Sequence, residues 1–130
     1  MIEASEFFDY FHVLPIKLHC EKDLYRFPQD VNIYPNINDT RNKEKLLQCI
    51  TDSGLYVTFK PPTQQGSPVV ITTNENDCSY SLHISGETLW DALYNFCKFC
   101  DDCTQSIDTD CNRCITKDLE WRIGVEEWLY

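Results

Sequence analysis

The sequence has 130 residues, of which 42% are hydrophobic and 13% aromatic, a composition that predicts one folded domain and excludes a disordered tail. The 21 acidic and 11 basic residues give a net charge of −10, which repels nucleic-acid phosphates and favours a basic protein as partner. No stretch reaches the ~18 apolar residues of a membrane span, so we expect a soluble cytoplasmic protein with reduced cysteines and no membrane partner.

The first predicted elements are a helix and a short strand. Phe7, Phe8 and Phe11 fall on one helix face, which predicts a helix over about 4–13 that Pro15 ends. Residues 16–20 then alternate between apolar and polar side chains, as in a strand. Beyond them the chain is poorly patterned up to residue 38, and we predict an irregular connection there.

A second helix and three strands follow. Asp39 or Thr40 can cap a helix whose apolar residues reach Ile50, and Gly54 suits the left-handed position that ends a helix. Three strands are predicted after this helix: one from the alternation of apolar and polar residues after Gly54, one from the run VVITT, and one from the strict alternation over 78–85. Together these strands indicate a three-stranded antiparallel meander.

The last third is predicted to contain a helix, a cysteine-rich segment and one more strand. The stretch GETLWDALYNFCKFC has an apolar stripe that should pack on the sheet, formed by Leu89, Leu93, Phe96, Cys97 and Cys100. Apolar residues alternate over 119–125 and predict the strand. The predicted fold is therefore a single α+β domain, with an antiparallel sheet of three to four strands, two or three helices, and a zinc-binding loop at 97–114.

Five of the eight cysteines lie close together and predict a structural zinc site. Two C-x2-C pairs joined by a short loop have the spacing that a tetrahedral thiolate site needs. Zinc binding can stabilise the folded state by roughly 10–16 kcal/mol, whereas a disulfide contributes about 2–4 kcal/mol. The loop between the two pairs is so polar that we expect it to need the larger contribution. Disulfides and unliganded thiols are the alternatives. The candidate ligands are Cys97, Cys100, Cys103, Cys111 and Cys114.

Four ligands are needed, so one of the five cysteines has another role. Cys97 belongs to the apolar helix stripe, and we favour Cys100, Cys103, Cys111 and Cys114 as the ligand set. Cys97 with Cys100 is the rival first pair, because residues three apart share a helix face. The glycine that usually follows a zinc knuckle is missing from both pairs, which argues against a standard zinc ribbon.

Two other chemistries for this segment are rejected. A calcium loop beginning at Asp108 would place Arg113 where glycine is needed and Leu119 where the bidentate glutamate is needed. A thioredoxin-like cysteine requires a helix N-terminus, whereas Cys97 and Cys100 come near the predicted C-terminal end of their helix. We also find no catalytic motif around the three histidines, and we predict that the protein is not an enzyme.

The acidic residues around the cysteines predict the partner-binding surface. Residues 86–130 hold ten acidic and four basic residues, and they include all three tryptophans. A four-thiolate zinc site would add further negative charge. We therefore expect a basic protein, with nucleic-acid-handling proteins as one class, to bind Asp101, Asp102, Asp108, Asp110 and Trp128.

Three functions are carried forward from the sequence. The leading one is a small acidic protein-binding module, which resembles immunity proteins and nuclease inhibitors in composition only. The second is a zinc-stabilised adaptor or regulatory subunit without charge mimicry. The third is an enzyme whose active site assembles only in the fold.

Overall fold

The computed structural model describes residues 1–20, 29–59, 68–73, 83–102 and 110–130. These segments form an α+β fold with four helices and two antiparallel sheets. The helices are α1 (Ala4–Tyr10), α2 (Thr40–Asp52), α3 (Leu89–Asp102) and α4 (Asp110–Val125), and the strands are β1 (Ile16–Cys20), β2 (Gln29–Ile33), β3 (Leu55–Phe59), β4 (Val69–Thr73) and β5 (His83–Gly86). None of these helices is long and apolar enough to span a membrane.

The helix α2 begins and ends where the sequence predicts. The Asp39 side chain accepts a hydrogen bond from the Arg41 backbone N–H at 2.9 Å, which satisfies one of the unpaired donors of the first turn. Gly54 follows the helix with a φ of 87°, a conformation that a residue with a Cβ rarely adopts. The buried stripe of α2 includes Leu46 and Ile50, which join the core.

The larger sheet is the predicted three-stranded meander, in the order β3-β4-β5. Val57 pairs with Ile71, and Ile71 pairs with Ile84, so one face of the sheet is apolar. The helix α3 packs on β4 and β5. Gly86 permits this close packing, because a Cβ at that position would lie 2.3 Å from the backbone nitrogen of Ala92. The part of the predicted strand over 78–82 lies outside the described residues.

The strands β1 and β2 form a separate two-stranded ribbon, in which Leu18 pairs with Val31. The strand β1 was predicted, whereas the region of β2 was expected to be irregular. That expectation was wrong because β2 has only two apolar residues, and its partner strand compensates for this weak local pattern.

The strand predicted over 119–125 is wrong, because this segment belongs to the helix α4. Leu119 and Ile123 fit a strand by their separation of four residues, but the same separation places them on one face of a helix. Both are fully buried, whereas Trp121 is 62% exposed, as expected on the opposite side of a helix. The expected loop at 97–114 is likewise helical at both ends, up to Asp102 and again from Asp110.

The core beneath α1 is aromatic. Phe7 packs edge-on against Trp90 with ring centroids 5.0 Å apart, and Phe8 packs against Trp128 at 5.4 Å. The indole N–H of Trp128 donates to the Ile123 carbonyl at 2.9 Å, so this buried donor is satisfied. The helix α1 ends at Tyr10, before the predicted boundary at residue 13.

Candidate functional site

The cysteine-rich segment forms the adjoining ends of two helices that pack on each other, α3 and α4. Cys97 and Cys100 lie in the last two turns of α3, and the backbone of Cys111 and Cys114 lies in the first two turns of α4. Only residues 103–109 separate the two helices. A connection of this length keeps the end of α3 near the start of α4, so the two cysteine pairs belong to the same end of this helical pair.

The structure describes two of the five candidate zinc ligands in atomic detail. Cys97 is fully buried, in agreement with its position in the apolar stripe, and Cys100 is only 4% exposed. Cys103 and the side chains of Cys111 and Cys114 lie outside the described residues. Within the described part, no group of three or more histidine, cysteine or acidic side chains could hold a metal ion. The zinc site therefore stays a prediction.

The Cys97 thiol lies in an environment that disfavours its ionised form. Burial raises its pKa well above the ordinary thiol value, and the nearby Glu120 and Cys100 raise it further. A neutral thiol in this position behaves as a small hydrophobic side chain. This agrees with a packing role for Cys97, and it places Glu120 of α4 next to the cysteine face of α3.

Two carboxylates beside these cysteines influence each other electrostatically. Partial burial raises the pKa of Glu120, and the negative charge of Asp101 raises it further, whereas His12 and Lys117 act in the opposite direction. The Asp101 carboxylate is exposed and accepts a hydrogen bond from the Tyr10 hydroxyl. Asp101 at the end of α3 and Glu120 on α4 therefore place negative charge at the same end of the helical pair. We call this end the acidic end and define it by Asp101 and Glu120, with Asp102 next to Asp101 in the sequence.

The direction of α3 adds to this negative potential. The last turn of a helix carries a partial negative charge from its free carbonyl groups, and basic residues are favoured there. The last turn of α3 has no basic residue and instead contains Asp101 and Asp102. Negative charge is therefore concentrated where it stabilises the helix least.

Of the other predicted partner-binding residues, the structure describes the side chain of Trp128 alone. Trp128 is only 6% exposed and lies in the aromatic core, so it offers no exposed face for a partner. Asp108 and the side chains of Asp102 and Asp110 lie outside the described residues.

Trp121 is one of the three tryptophans counted in the acidic region, but the predicted strand would have placed it on the same face as Leu119 and Ile123. In the helix it is 62% exposed and directly follows Glu120.

Comparison with protein-family models, with curated proteins and with solved structures gives no match to this chain.

Proposed function

We propose that this chain is a small acidic protein-binding module that docks on a basic protein, in the manner of an inhibitor or immunity protein. Proteins that handle nucleic acids are the favoured class of target, because their phosphate-binding sites are basic. The observation that carries the proposal is the exposed Asp101 carboxylate in the last turn of α3, where no basic residue stands and where its charge also raises the pKa of Glu120 on α4.

This arrangement opposes the stability of the isolated protein. The charge of Asp101 and partial burial both disfavour the ionised form of Glu120, and no basic residue in the last turn of α3 offsets the helix dipole. A lysine or arginine supplied by a partner would relieve both effects. Local arrangements that cost stability are typical of functional sites.

The helix α4 also carries an exposed aromatic residue. Trp121 follows Glu120 in α4 and is 62% exposed, and tryptophan is among the residues that contribute most to protein interfaces. Val125 is four residues further along α4 and is 59% exposed. An exposed aromatic ring on the same helix as Glu120 suits a basic partner, because the charges would steer the encounter and the ring would supply buried contact area.

A structural zinc ion at the end of the helical pair is the second part of the proposal. Cys100, Cys103, Cys111 and Cys114 are the favoured ligands, since Cys97 already has a packing role in the core. Two thiolates contributed by each side of the connection would fix α3 and α4 relative to each other. The ion would thereby hold the acidic end in a rigid geometry, which reduces the entropy lost on binding.

Affinity capture from an extract of the source cells tests the proposal. The wild-type protein is compared with Asp101→Asn/Asp102→Asn, and a control pair, Glu3→Gln/Glu44→Gln, removes the same charge from exposed positions elsewhere. We expect wild type and control to retain a basic protein that the acidic-end variant loses. Equal capture by all three proteins, or direct binding of DNA, would contradict the proposal.

A zinc-stabilised adaptor without charge mimicry is the second candidate function. The exposure of Trp121 and Val125 favours it, because an apolar helix surface can dock without electrostatic steering. Added salt separates the two candidates, since it weakens binding between exposed opposite charges and leaves apolar docking largely unchanged. Catalysis stays a third alternative to which we assign no residue.

A further inference from the structure

A second surface feature, distant from the acidic end, is a cleft of about 370 Å³ between α2, β3 and the start of α3. Its volume falls in the range of about 300–1,000 Å³ that is usual for small-molecule sites. Most of the side chains around it are apolar, and a few polar groups stand at its rim. The residues that matter most for the argument are Lys43, Phe59, Val69, Glu87, Leu89 and Trp90.

Two aromatic residues give the cleft its character. Phe59 is the last residue of β3 and is 51% exposed, although it lies on the same sheet face as the buried Leu55. Trp90 is only 3% exposed and is held by its contact with Phe7, so its position does not depend on a ligand. Phe59 thus offers an exposed aromatic ring to the same cleft that the fixed Trp90 lines, and an exposed ring suits a flat ring as ligand.

The charge at the rim of the cleft is cationic. The Lys43 ammonium lies 5.4 Å from the centre of the Phe59 ring, and no carboxylate among the described residues pairs with it. Lys43 differs in this from three other basic residues, each of which forms an ion pair with a carboxylate: Arg41, Lys45 and Arg122. Glu87 also lines the cleft, but its carboxylate accepts a hydrogen bond from the Met1 ammonium at 3.0 Å and forms an ion pair with it.

We propose that this cleft binds a small aromatic anion, such as an arene carboxylate or sulfonate. The ring would pack beside Phe59 and the apolar lining, and the anionic group would pair with Lys43. The net charge of −10 does not exclude such a ligand, because charges further away than ~8 Å are largely screened at physiological salt. The eleven helical steps from Trp90 to Asp101 separate the cleft from the acidic end by roughly 16 Å along α3.

Calorimetry with naphthalene-2-carboxylate as the probe tests this site, and the uncharged 2-naphthylmethanol serves as the comparison ligand. We expect saturable 1:1 binding of the carboxylate with a Kd of about 1 mM or tighter, and weaker binding of the alcohol. Lys43→Gln should weaken carboxylate binding about 2- to 5-fold, the range for an exposed ion pair. Its binding of the alcohol should not change.

The chain offers a matched control in Lys98, whose ammonium lies 5.5 Å from the Tyr94 ring centre, away from the cleft. Lys98→Gln should leave carboxylate binding unchanged, whereas Phe59→Leu should weaken both ligands because it removes the exposed ring. Absence of saturable binding in the wild type, equal effects of Lys43→Gln and Lys98→Gln, or binding that survives in both cleft variants would each overturn the proposal. Far-UV circular dichroism establishes that each variant is folded.

Discussion

The side chain of Asn42 pairs with the backbone of Leu129 much as one strand pairs with another. Its amide nitrogen donates to the Leu129 carbonyl at 2.7 Å, and its amide oxygen accepts from the Leu129 N–H at 2.9 Å. The same nitrogen also donates to the Asn36 carbonyl at 2.8 Å. This buried side chain therefore ties the segment after α4 to α2, and so helps to fix the position of α4 itself.

Replacing Asn42 should destabilise the whole domain. Asn42→Ala leaves the Leu129 N–H without its acceptor, and it removes one of two donors from the Leu129 and Asn36 carbonyls, each of which keeps a backbone N–H as donor. We expect a loss of about 1–3 kcal/mol in the free energy of unfolding. Urea denaturation measures it. The exposed Asn38 provides the control, since Asn38→Ala should change stability by about 0.5 kcal/mol or less. Similar values for the two variants would contradict the role given to Asn42.

The two tryptophans near the C-terminal end should respond in opposite ways. Trp128→Ala removes a ring that packs in the aromatic core and should cost about 3–5 kcal/mol. Trp121→Ala removes an exposed ring and should leave the unfolding free energy within about 0.5 kcal/mol of wild type. Urea denaturation compares them, and a large loss for Trp121→Ala would show that this ring is not free to serve a partner.

Glu120 should make stability depend on pH. Its pKa in the folded protein is raised above the ordinary value of 4.5, so the folded state holds the proton more tightly than the unfolded state does. The associated stability is present below pH 4.5 and is lost as pH rises through the folded pKa.

Glu120→Gln should consequently be more stable than wild type at neutral pH, and this difference should shrink as pH falls toward 4.5. Urea denaturation at a series of pH values measures the difference in unfolding free energy between the variant and wild type. Glu44→Gln on the exposed side of α2 is the control. A difference that grows on acidification would have the wrong sign for this mechanism.

The purified protein should contain about one zinc ion per chain when it is prepared without chelator under reducing conditions. Cys111→Ser and Cys114→Ser should lose the metal, whereas Cys78→Ser should retain it, because Cys78 lies outside the clustered cysteines. Elemental analysis measures the metal content. Protein with almost no metal and reactive thiols would contradict the zinc site, as would equal loss in Cys78→Ser.

Cys97→Ala distinguishes the two ligand sets. If Cys97 only packs in the core, this variant keeps its zinc and loses stability, whereas a ligand at this position would be revealed by loss of the metal. Elemental analysis and urea denaturation on the same preparation give both readouts.

The sequence predicts those parts of the fold in which local pattern and tertiary environment agree. The strand β4 and the helices α2 and α3 follow from alternation, capping and an apolar stripe. The helix α4 does not follow from the sequence, because the spacing of Leu119 and Ile123 fits both a strand and a helix. Only the burial of these two residues, together with the exposure of Trp121, shows that the segment is a helix.

The candidate site divides in the same way. The spacing of the cysteines is visible in the sequence, because zinc ligands must be close along the chain to meet in space. The influence of the Asp101 charge on Glu120 is not visible in the sequence, since these residues are nineteen positions apart and interact only because α3 packs on α4. Trp128 was predicted to contact the partner, but the structure buries it. Its burial depends on the tertiary fold, which composition does not reveal.

The affinity of the captured basic partner for an acidic-end variant tests the central claim most directly. Calorimetry at about 0.05 M and 0.5 M salt compares wild type, Asp101→Lys/Asp102→Lys, and the control Glu3→Lys/Glu44→Lys, which changes the net charge equally. We expect the acidic-end reversal to weaken binding by at least about 1.5 kcal/mol at low salt, and the control to have a much smaller effect. High salt should reduce the difference in binding free energy between wild type and the acidic-end variant. Equal affinity of all three proteins at both salt concentrations would contradict electrostatic docking at the acidic end.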